Sequence, residues 1–297
     1  MGPRPWERQI TPVLVAYNSA SILPWSLAPL VNCQHLIVVD NNSQDTTCEV
    51  VRKCADQAQI IKTGQNLGFG RANNFALSVV KTPFALLINP DAQLRKGALE
   101  ALWRAAVRYP DAAILAPIFF DGFGKQQASF HSGTEASSRE APFVPEGDLC
   151  VNFTTGAAMM LNLRNMRDVG FFDPWYFLYG EDDDLCIRIR QHGLSIIIVH
   201  DADAEHHTHR SSAPSLKTAF RRSYSMTLSK FYITRKYQGS AKCVQMILRI
   251  GIGSLFALVI HLILLRRDRV VRMAGRIAAS LIGWSRISAT HCFEPTD

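Results

Sequence analysis

The chain has 297 residues, enough for one large α/β domain with an appended region, and 47% of them are hydrophobic while 19% are charged. These are globular values, and the absence of low-complexity stretches and internal repeats excludes disordered, fibrous and solenoid proteins. The net charge of +7 is concentrated after Arg235, where arginines interleave with apolar residues, and this favours an anionic membrane surface over nucleic acid as a partner.

Four short apolar runs in the first part of the chain predict buried strands, and segments with helical spacing separate them. Runs without alternation, separated by helices, are typical of parallel strands covered on both faces, and such sheets bind ligands at the carboxyl ends of their strands. The predicted strands are 10–16, 36–39, 60–61 and 84–88, and the predicted helices are 22–30, 46–58 and 70–80. Polar clusters follow each strand, so we expect them to meet at one edge of the sheet.

The rest of the chain continues this α/β pattern and then becomes basic. Residues 123–149 predict a long loop, and 206–212 a polar loop. The predicted strands are 114–120, 156–163 and 195–199, and the predicted helices are 96–109, 181–192 and 216–237, the last of them amphipathic and basic.

The seven cysteines show no CxxC pair and no zinc-finger spacing, which predicts free thiols in a reducing compartment. The segment from Met1 to Trp6 has no apolar signal region, so no secretion is predicted. The expected location is the cytoplasmic side of the cell membrane, with peripheral or monotopic attachment.

Two polar clusters are candidates for binding a nucleotide. Asp40 could accept a hydrogen bond from the imide N–H of a pyrimidine, but it could equally cap the helix that begins near Asp45. The glycines of Asn66–Asn74 allow close backbone approach at a helix N-terminus, which suits phosphate, and a plain strand-to-helix turn is the alternative.

Acidic and histidine clusters are candidates for metal binding and catalysis. Asp91 follows a buried strand, where a carboxylate needs a partner, and a divalent cation is the natural one. The acids of 181–184 exceed what one helix cap can use, so a general base is favoured there over simple capping. His206, His207 and His209 could complete the metal site, whereas a lone histidine would more often be structural.

Together these motifs resemble the family 2 inverting glycosyltransferases of the GT-A fold, on the branch of bacterial rhamnosyltransferases. The resemblance covers roughly residues 10–237. Its most specific parts are Asn66–Asn74, Leu87–Asp91 and the run from Gly170 to Leu185. It implies an α/β GT-A domain with a Rossmann-like mixed sheet over 1–240, and a C-terminal helical membrane-association region over 241–297.

The resemblance also implies a role for individual residues. Asp182 stands at the position of the catalytic base, and Glu181 would orient it or the acceptor. Asp91 and His206 stand at the metal-ligand positions, with His207 and His209 leaving the histidine register open, and the cofactor would be Mn²⁺ or Mg²⁺. Donor contacts are expected from Tyr17, Asn18, Asp40, Asn66, Gly68, Gly70, Arg71, Asn73 and Asn89, and acceptor contacts from Gly156, Tyr179 and Asp184.

The implied reaction is a single displacement that inverts the anomeric carbon of a nucleotide-diphosphate sugar, with L-rhamnose from dTDP-rhamnose expected as donor. The acceptor would be lipid-linked or saccharide, in cell-envelope glycan synthesis, without nucleic acid and with homodimerisation left open. Two features depart from the family pattern: Asn89 replaces the first acid of the DxD motif, and no Gln-x-x-Arg-Trp motif of processive synthases is present.

The apolar run 250–265 is shorter than the roughly 20 residues of a membrane span, and arginines flank both of its ends. A monotopic or re-entrant hairpin with the basic helix 269–284 is the preferred interpretation. A buried packing helix and a true span are the alternatives.

Three other functions remain to be distinguished. A transferase of the same fold could use UDP-galactose or a UDP-N-acetylhexosamine. A protein that has lost catalysis could bind nucleotide sugars as a scaffold, since Asn89 weakens the metal site. A dinucleotide oxidoreductase would need GxGxxG after the first strand, where the chain has Ala16–Ser19 instead.

Overall fold

In the computed structural model, residues 4–133, 141–207 and 215–288 are described, and all structural statements refer to them. The strands are β1 Ile10–Ala16, β2 Ile37–Asp40, β3 Gln59–Lys62, β4 Phe84–Ile88, β5 Ala92–Leu94, β6 Ala112–Phe120, β7 Phe130–His131, β8 Leu149–Val151, β9 Phe153–Thr154, β10 Ala158–Asn162 and β11 Ser195–His206. The helices are α1 Pro5–Gln9, α2 Leu23–Leu27, α3 Thr47–Cys54, α4 Phe69–Leu77, α5 Ala98–Arg108, α6 Met166–Val169, α7 Glu181–Gln191, α8 Leu216–Gln238, α9 Ser240–Ile263 and α10 Arg267–Ser288.

The chain divides into two compact units. The sheet unit comprises residues 1–172 and 182–211, and the helical unit comprises residues 173–181 and 212–297. The predicted division at residue 240 falls between α8 and α9, inside the helical unit, and as a division of function it stays a prediction.

The main sheet of the sheet unit is mixed, as predicted, with strand order β3-β2-β1-β4-β10-β6-β11-β5 and β8 paired to β11. The first four strands are parallel, and β10 then lies antiparallel between β4 and β6. Neighbouring residues on one strand, such as Val13 and Leu14, belong to different apolar clusters because strand side chains alternate between faces. Both faces are therefore covered, as the unbroken apolar runs predicted.

One prediction about this sheet is wrong. Strand β11 does not end at Val199 but continues to His206, across register shifts in its pairing with β6. The bulge between Ile198 and Asp203 places polar residues in the strand and conceals its continuation. His206 therefore lies at a strand end rather than in the predicted loop, and the rest of that loop, from 208, lies outside the described residues.

The helical unit has its own apolar core, in which the segment 173–181 packs with the three long helices. Trp175 stacks on Tyr232 of α8, with ring centroids 3.8 Å apart and planes within 2°. The buried members of this core are Trp175, Tyr176, Leu228, Phe231, Cys243, Ala279 and Ile287. At Gly275 of α10 an added Cβ would lie 2.8 Å from the carbonyl oxygen of Phe220, so close helix contact requires glycine there.

Helix α9 is the one described helix long and apolar enough to cross a membrane by length and composition, and very little of it is buried in the structure. Phe256 is 71% exposed and Ile263 76% exposed. At about 1.5 Å per residue its 24 residues span roughly 36 Å. An apolar C-terminal helix of this kind agrees with the predicted membrane-associating region.

The described cysteines are all free, as predicted: Cys33, Cys48, Cys54, Cys150, Cys186 and Cys243. Burial, and then the nearby Glu7 charge, raise the pKa of the Cys33 thiol to about 12, so this thiol stays protonated. Cys292 lies outside the described residues.

Candidate active site

The carboxyl ends of β1, β2 and β4 meet at one edge of the sheet, because these strands are parallel neighbours. The register pairs Ala16 with Asp40 and Leu14 with Ile88. The polar residues that follow these strands, Tyr17, Asn18 and Asn89, are thereby brought to the edge that holds Asp40, as the sequence predicted.

Asp40 is nearly buried, and one of its oxygens accepts a hydrogen bond from the backbone N–H of Ser43 at 3.0 Å. The helix-capping alternative belongs instead to Asp45, which accepts from the backbone N–H of Thr47 at the start of α3. Capping of α3 therefore does not account for Asp40, although the carboxylate does close the turn at Ser43.

Asn18 joins the loop after β1 to the loop after β2. It is in a left-handed conformation (φ 50°), its side-chain oxygen accepts from the N–H of Gln44 at 2.7 Å, and its own N–H donates to Ser43 Oγ at 3.0 Å. Tyr17 beside it is 44% exposed, so its ring is available to a ligand.

Asn41 is a site residue that the sequence analysis missed. Its buried side chain donates to Asn66 Oδ1 at 3.0 Å and to the carbonyl of Gly68 at 3.1 Å, and it accepts from the N–H of Leu67 at 2.8 Å. Gly68, at φ 78°, precedes α4. Asn41 thus fixes the glycine turn to the end of β2, and the Asp-Asn-Asn run after that strand was the available signal.

The residues of α4 that were predicted to contact the sugar donor differ in burial and in hydrogen bonding. Gly70 is buried and Arg71 is half-exposed, while the Asn73 amide donates to the Phe69 carbonyl at 3.0 Å within the helix. Asn74 donates to the carbonyl of Phe172 and accepts its N–H, so it anchors the chain shortly before the acidic motif.

Asp91 and His206 are brought together by the antiparallel pairing of β5 with β11, in which Ala92 lies opposite His206. Asp91 Oδ1 lies 3.5 Å from His206 Nε2, and the Asp91 side chain is only 6% exposed. A carboxylate oxygen and an imidazole nitrogen that face each other in this way form a donor set suited to Mn²⁺ or another divalent ion.

His207 is engaged elsewhere. Its Nε2 is paired with Glu205, its ring packs on Trp25 at 4.6 Å between centroids, and its backbone N–H donates to the Asp91 carbonyl. His206 is therefore the described histidine whose ring faces Asp91, while His209 lies outside the described residues. No cluster of three or more His, Cys, Asp or Glu side chains suited to a metal occurs within 4–133, 141–207 and 215–288.

Asp182 lies against the start of β10. Its Oδ2 accepts from the backbone N–H of Gly156 at 3.1 Å, and its Oδ1 accepts from the N–H of Asp183 at 3.1 Å. A Cβ on Gly156 would meet Phe69 at 3.3 Å and the Asp182 Cβ at 3.6 Å, so the close approach favours glycine. Gly156, which was predicted to contact the acceptor, therefore donates a hydrogen bond to the candidate base.

The candidate base and the candidate metal turn are joined through the two residues that precede β10. The N–H of Asn89 donates to the carbonyl of Ala157 at 2.9 Å, and the neighbouring Gly156 donates to Asp182. Two motifs that lie far apart in sequence are thus linked through two adjacent residues.

Asp184 is fully buried, where its Oδ2 accepts from Arg188 Nε at 2.8 Å. The same guanidinium donates to the carbonyls of Val169 and Gly170, at 2.7 and 3.3 Å, and to that of Phe171. Arg188, which the sequence analysis did not single out, fixes the Gly170 turn to α7. The structure shows the Asp184 carboxylate buried in this ion pair, and the acceptor contact predicted for it stays a prediction.

Tyr179 and Glu181 belong to the helical unit and lead directly into Asp182. Tyr179 (φ 71°) and Gly180 (φ 88°) are both left-handed, and Glu181 is buried. Upstream, Asp173 accepts from Lys236 Nζ at 2.7 Å and from the Tyr232 hydroxyl at 3.0 Å. Burial alone would raise the pKa of Asp173, but these bonds and the N–H of Trp175 outweigh it and lower the pKa.

Comparison with known proteins identifies the family. Residues 12–162 match the family described as "Glycosyl transferase family 2", which is half of the chain. The chain belongs to this family. It is therefore a glycosyltransferase, as the acidic motif and the strand-end residues predicted.

Among its relatives, the chain is 26% identical to N-acetylglucosaminyl-diphospho-decaprenol L-rhamnosyltransferase of Mycobacterium tuberculosis, over 60% of this chain and 67% of the relative. It is 25% identical to rhamnosyltransferase WbbL of Escherichia coli, over 68% of this chain and 82% of the relative. The transferase is thus rhamnosyltransferase-like.

Solved structures of similar fold support the GT-A assignment. The mannosyltransferase PcManGT of Pyrobaculum calidifontis, in complex with GDP-Man and Mn²⁺, has a TM-score of 0.59 at 14% identity and covers 96% of this chain and 89% of its own. Residues 1–349 of TarS of S. aureus, in complex with UDP-GlcNAc, give a TM-score of 0.55 at 15% identity, covering 97% and 95%.

Proposed function

We propose that this glycosyltransferase moves L-rhamnose from dTDP-rhamnose to a lipid-linked acceptor in cell-envelope glycan synthesis, with inversion at the anomeric carbon. The rhamnosyltransferase relatives support the donor. The mycobacterial relative is named for an N-acetylglucosaminyl-diphospho-decaprenol substrate, which supports the lipid-linked acceptor. The observation that carries the proposal is the link from the Asn89 turn through Ala157 and Gly156 to the Asp182 carboxylate.

In this proposal the donor nucleotide lies at the sheet edge. Asp40 contacts the base, the exposed Tyr17 ring and Asn18 line the same pocket, and the turn fixed by Asn41 presents Gly68 and the start of α4 to the diphosphate. Gly70, Arg71 and Asn73 remain donor-contact proposals on the same helix. Helix N-termini stabilise phosphate through their unpaired N–H groups.

Asp91 and His206 would hold a divalent cation, for which their facing oxygen and nitrogen are suited. A bound cation would supply Lewis-acid stabilisation of the negative charge on the departing diphosphate. The mannosyltransferase structure that contains Mn²⁺ supports a divalent cation in general.

Asp182 takes the proton from the acceptor hydroxyl as that oxygen attacks the anomeric carbon from the face opposite the nucleotide. The two backbone N–H groups that bond its carboxylate fix the orientation of the base. Glu181, immediately before it, orients the base or the acceptor. Gly156 keeps side-chain volume away from the base, and Tyr179 stays a candidate for acceptor contact.

The test is Asp182→Asn in full-length protein, with Asp183→Asn as the matched control that removes one charge from the next residue. The transfer rate from dTDP-rhamnose should fall by about 10²–10⁴-fold in Asp182→Asn, because a general base contributes that much. Donor binding, followed by thermal shift, should persist, and Asp183→Asn should keep most of the rate.

A wild-type rate in Asp182→Asn, or equal losses in both variants, would remove Asp182 from the mechanism. Parallel reactions with UDP-galactose and UDP-N-acetylglucosamine test the donor, since faster transfer from either would replace rhamnose with that sugar. Donor binding without transfer from any donor would indicate the inactive, scaffold alternative.

A further inference from the structure

A cavity of about 270 Å³ lies within the helical unit, where α8, α9 and α10 meet. It is lined by Ser223, Met226, Thr227, Lys230, Ile250 and Arg276. Its volume is slightly below the roughly 300–1,000 Å³ of typical ligand pockets, so it suits a small headgroup better than a nucleotide sugar.

The cavity is cationic. Lys230 and Arg276 are both exposed, and among the described residues neither lies within ion-pair distance of a carboxylate. By contrast, Lys236 is paired with Asp173, and Arg272, one turn before Arg276, is paired with Asp268 at 3.0 Å. Two uncompensated cations beside one cavity favour an anionic ligand.

The hydroxyl groups that line the cavity donate their hydrogen bonds within the protein and not to a ligand. Ser223 Oγ donates to the Arg272 carbonyl at 2.8 Å, and Thr227 Oγ1 donates to the Ser223 carbonyl at 2.7 Å. Because both hydroxyl protons are used internally, the donors that remain for a ligand are those of Lys230 and Arg276. A planar guanidinium with an ammonium group beside it is the pair that recognises phosphate oxygens.

Part of the wall of this cationic cavity is an apolar surface. Ile250 of α9 and Met226 of α8 line the cavity, and Met226 is 39% exposed. A free inorganic anion has no use for that surface, whereas an acyl or prenyl chain would cover it. Long basic side chains also keep their charges at the membrane–water boundary while their stems contact apolar groups.

We propose that this cavity binds the phosphate of a membrane lipid, with the lipid chain lying against Met226 and Ile250. The proposal rests on the membrane association predicted for the C-terminal helices, but not on the donor, the acceptor or the transfer reaction. It assigns the cavity to a phosphoester that carries an apolar chain.

The experiment is a calorimetric titration of the detergent-solubilised full chain with dihexanoyl phosphatidic acid, which is short enough to be used as a soluble probe. The expected result is saturable binding that weakens about tenfold in Arg276→Gln and in Lys230→Gln, as the loss of one charge-assisted contact predicts. Arg272→Gln is the matched control, since it removes the same charge from the same helix but lies outside the cavity lining, and it should bind like wild type.

Two further probes identify the source of the phosphate. Dihexanoyl phosphatidylcholine tests the need for an unblocked phosphate, and inorganic phosphate tests the need for the chain. Binding of inorganic phosphate as tight as that of phosphatidic acid would overturn the lipid assignment in favour of a free-anion site. No saturable binding, or an equal loss in Arg272→Gln, would overturn the cavity itself. Because no sugar donor is present, these outcomes are independent of the proposed transfer.

Discussion

Replacing Arg188 of α7 with methionine should destabilise the sheet unit far more than the loss of an exposed ion pair on a helix would. The side chain is 16% exposed, and its partner Asp184 is completely buried. Methionine keeps the apolar stem but removes the guanidinium that donates to the buried Asp184 carboxylate and to the carbonyls of residues 169–171. Breaking a buried ion pair by removing one partner costs about 3–5 kcal/mol, and this is the expected loss in the free energy of unfolding.

Urea unfolding of the full chain in detergent, followed by circular dichroism, measures this loss. The chain offers a matched control in Arg104, which also pairs with an acid four residues away, Glu100, but is 69% exposed. Arg104→Met should cost only about 0.3–0.5 kcal/mol, the range of exposed helical pairs. The double variant Asp184→Leu/Arg188→Met should recover part of the loss, because no uncompensated charge remains. Similar midpoints for Arg188→Met and Arg104→Met would refute a structural role for the buried pair.

Three other outcomes are expected. Asp91→Ala should weaken Mn²⁺-dependent donor binding in a thermal-shift assay, whereas binding that is equally tight with EDTA would contradict the cation site. The pKa of Asp173 is lowered in the folded state, so its pairing with Lys236 stabilises the helical unit at pH values above the unfolded pKa of about 3.9. This stabilisation is lost as the pH falls through the lower folded pKa. Asp173→Asn should therefore make the free energy of unfolding less dependent on pH in the acid range. Neutralising Arg266, Arg267 and Arg269, which pair with no carboxylate among the described residues, should weaken binding to anionic vesicles in a flotation assay by about 1 kcal/mol per residue. Arg272, which is paired with Asp268, should contribute less. A full chain that never floats would contradict membrane attachment.

The sheet edge could be predicted from the sequence because buried parallel strands have two local sequence signals. Their apolar runs are continuous, and a polar residue follows each one, as Asn18, Asp40 and Asn89 do. Neither feature depends on distant parts of the chain. The positions of the first strands and the meeting of these residues at one edge therefore follow from local pattern and the general properties of such sheets.

The remainder depended on pairings between distant segments. His206 belongs to the long strand β11, whose polar stretch after Ile198 looks like a loop until its partners β6 and β5 are known. Arg188 is one of several basic residues near the end of α7, and only the fold shows that it points to buried carbonyls. Helix ends were also predicted too long, as with α2, which ends at Leu27 rather than at Leu30.

The path of the chain between the two units limits how the enzyme can be shortened. The candidate catalytic and donor-binding residues that the structure describes all lie before residue 208, so a fragment that ends there looks catalytically complete. Such a fragment keeps Trp175 and Tyr176 but removes α8, whose Tyr232 covers Trp175 and whose Phe231 and Leu228 share their core. Two large aromatic rings would then face solvent just before Asp182, and exposed apolar patches of this kind favour aggregation. The long helices thus support the peptide that enters the acidic motif. A soluble version of this enzyme is better sought by replacing the exposed apolar residues of α9 with polar ones than by truncating the chain.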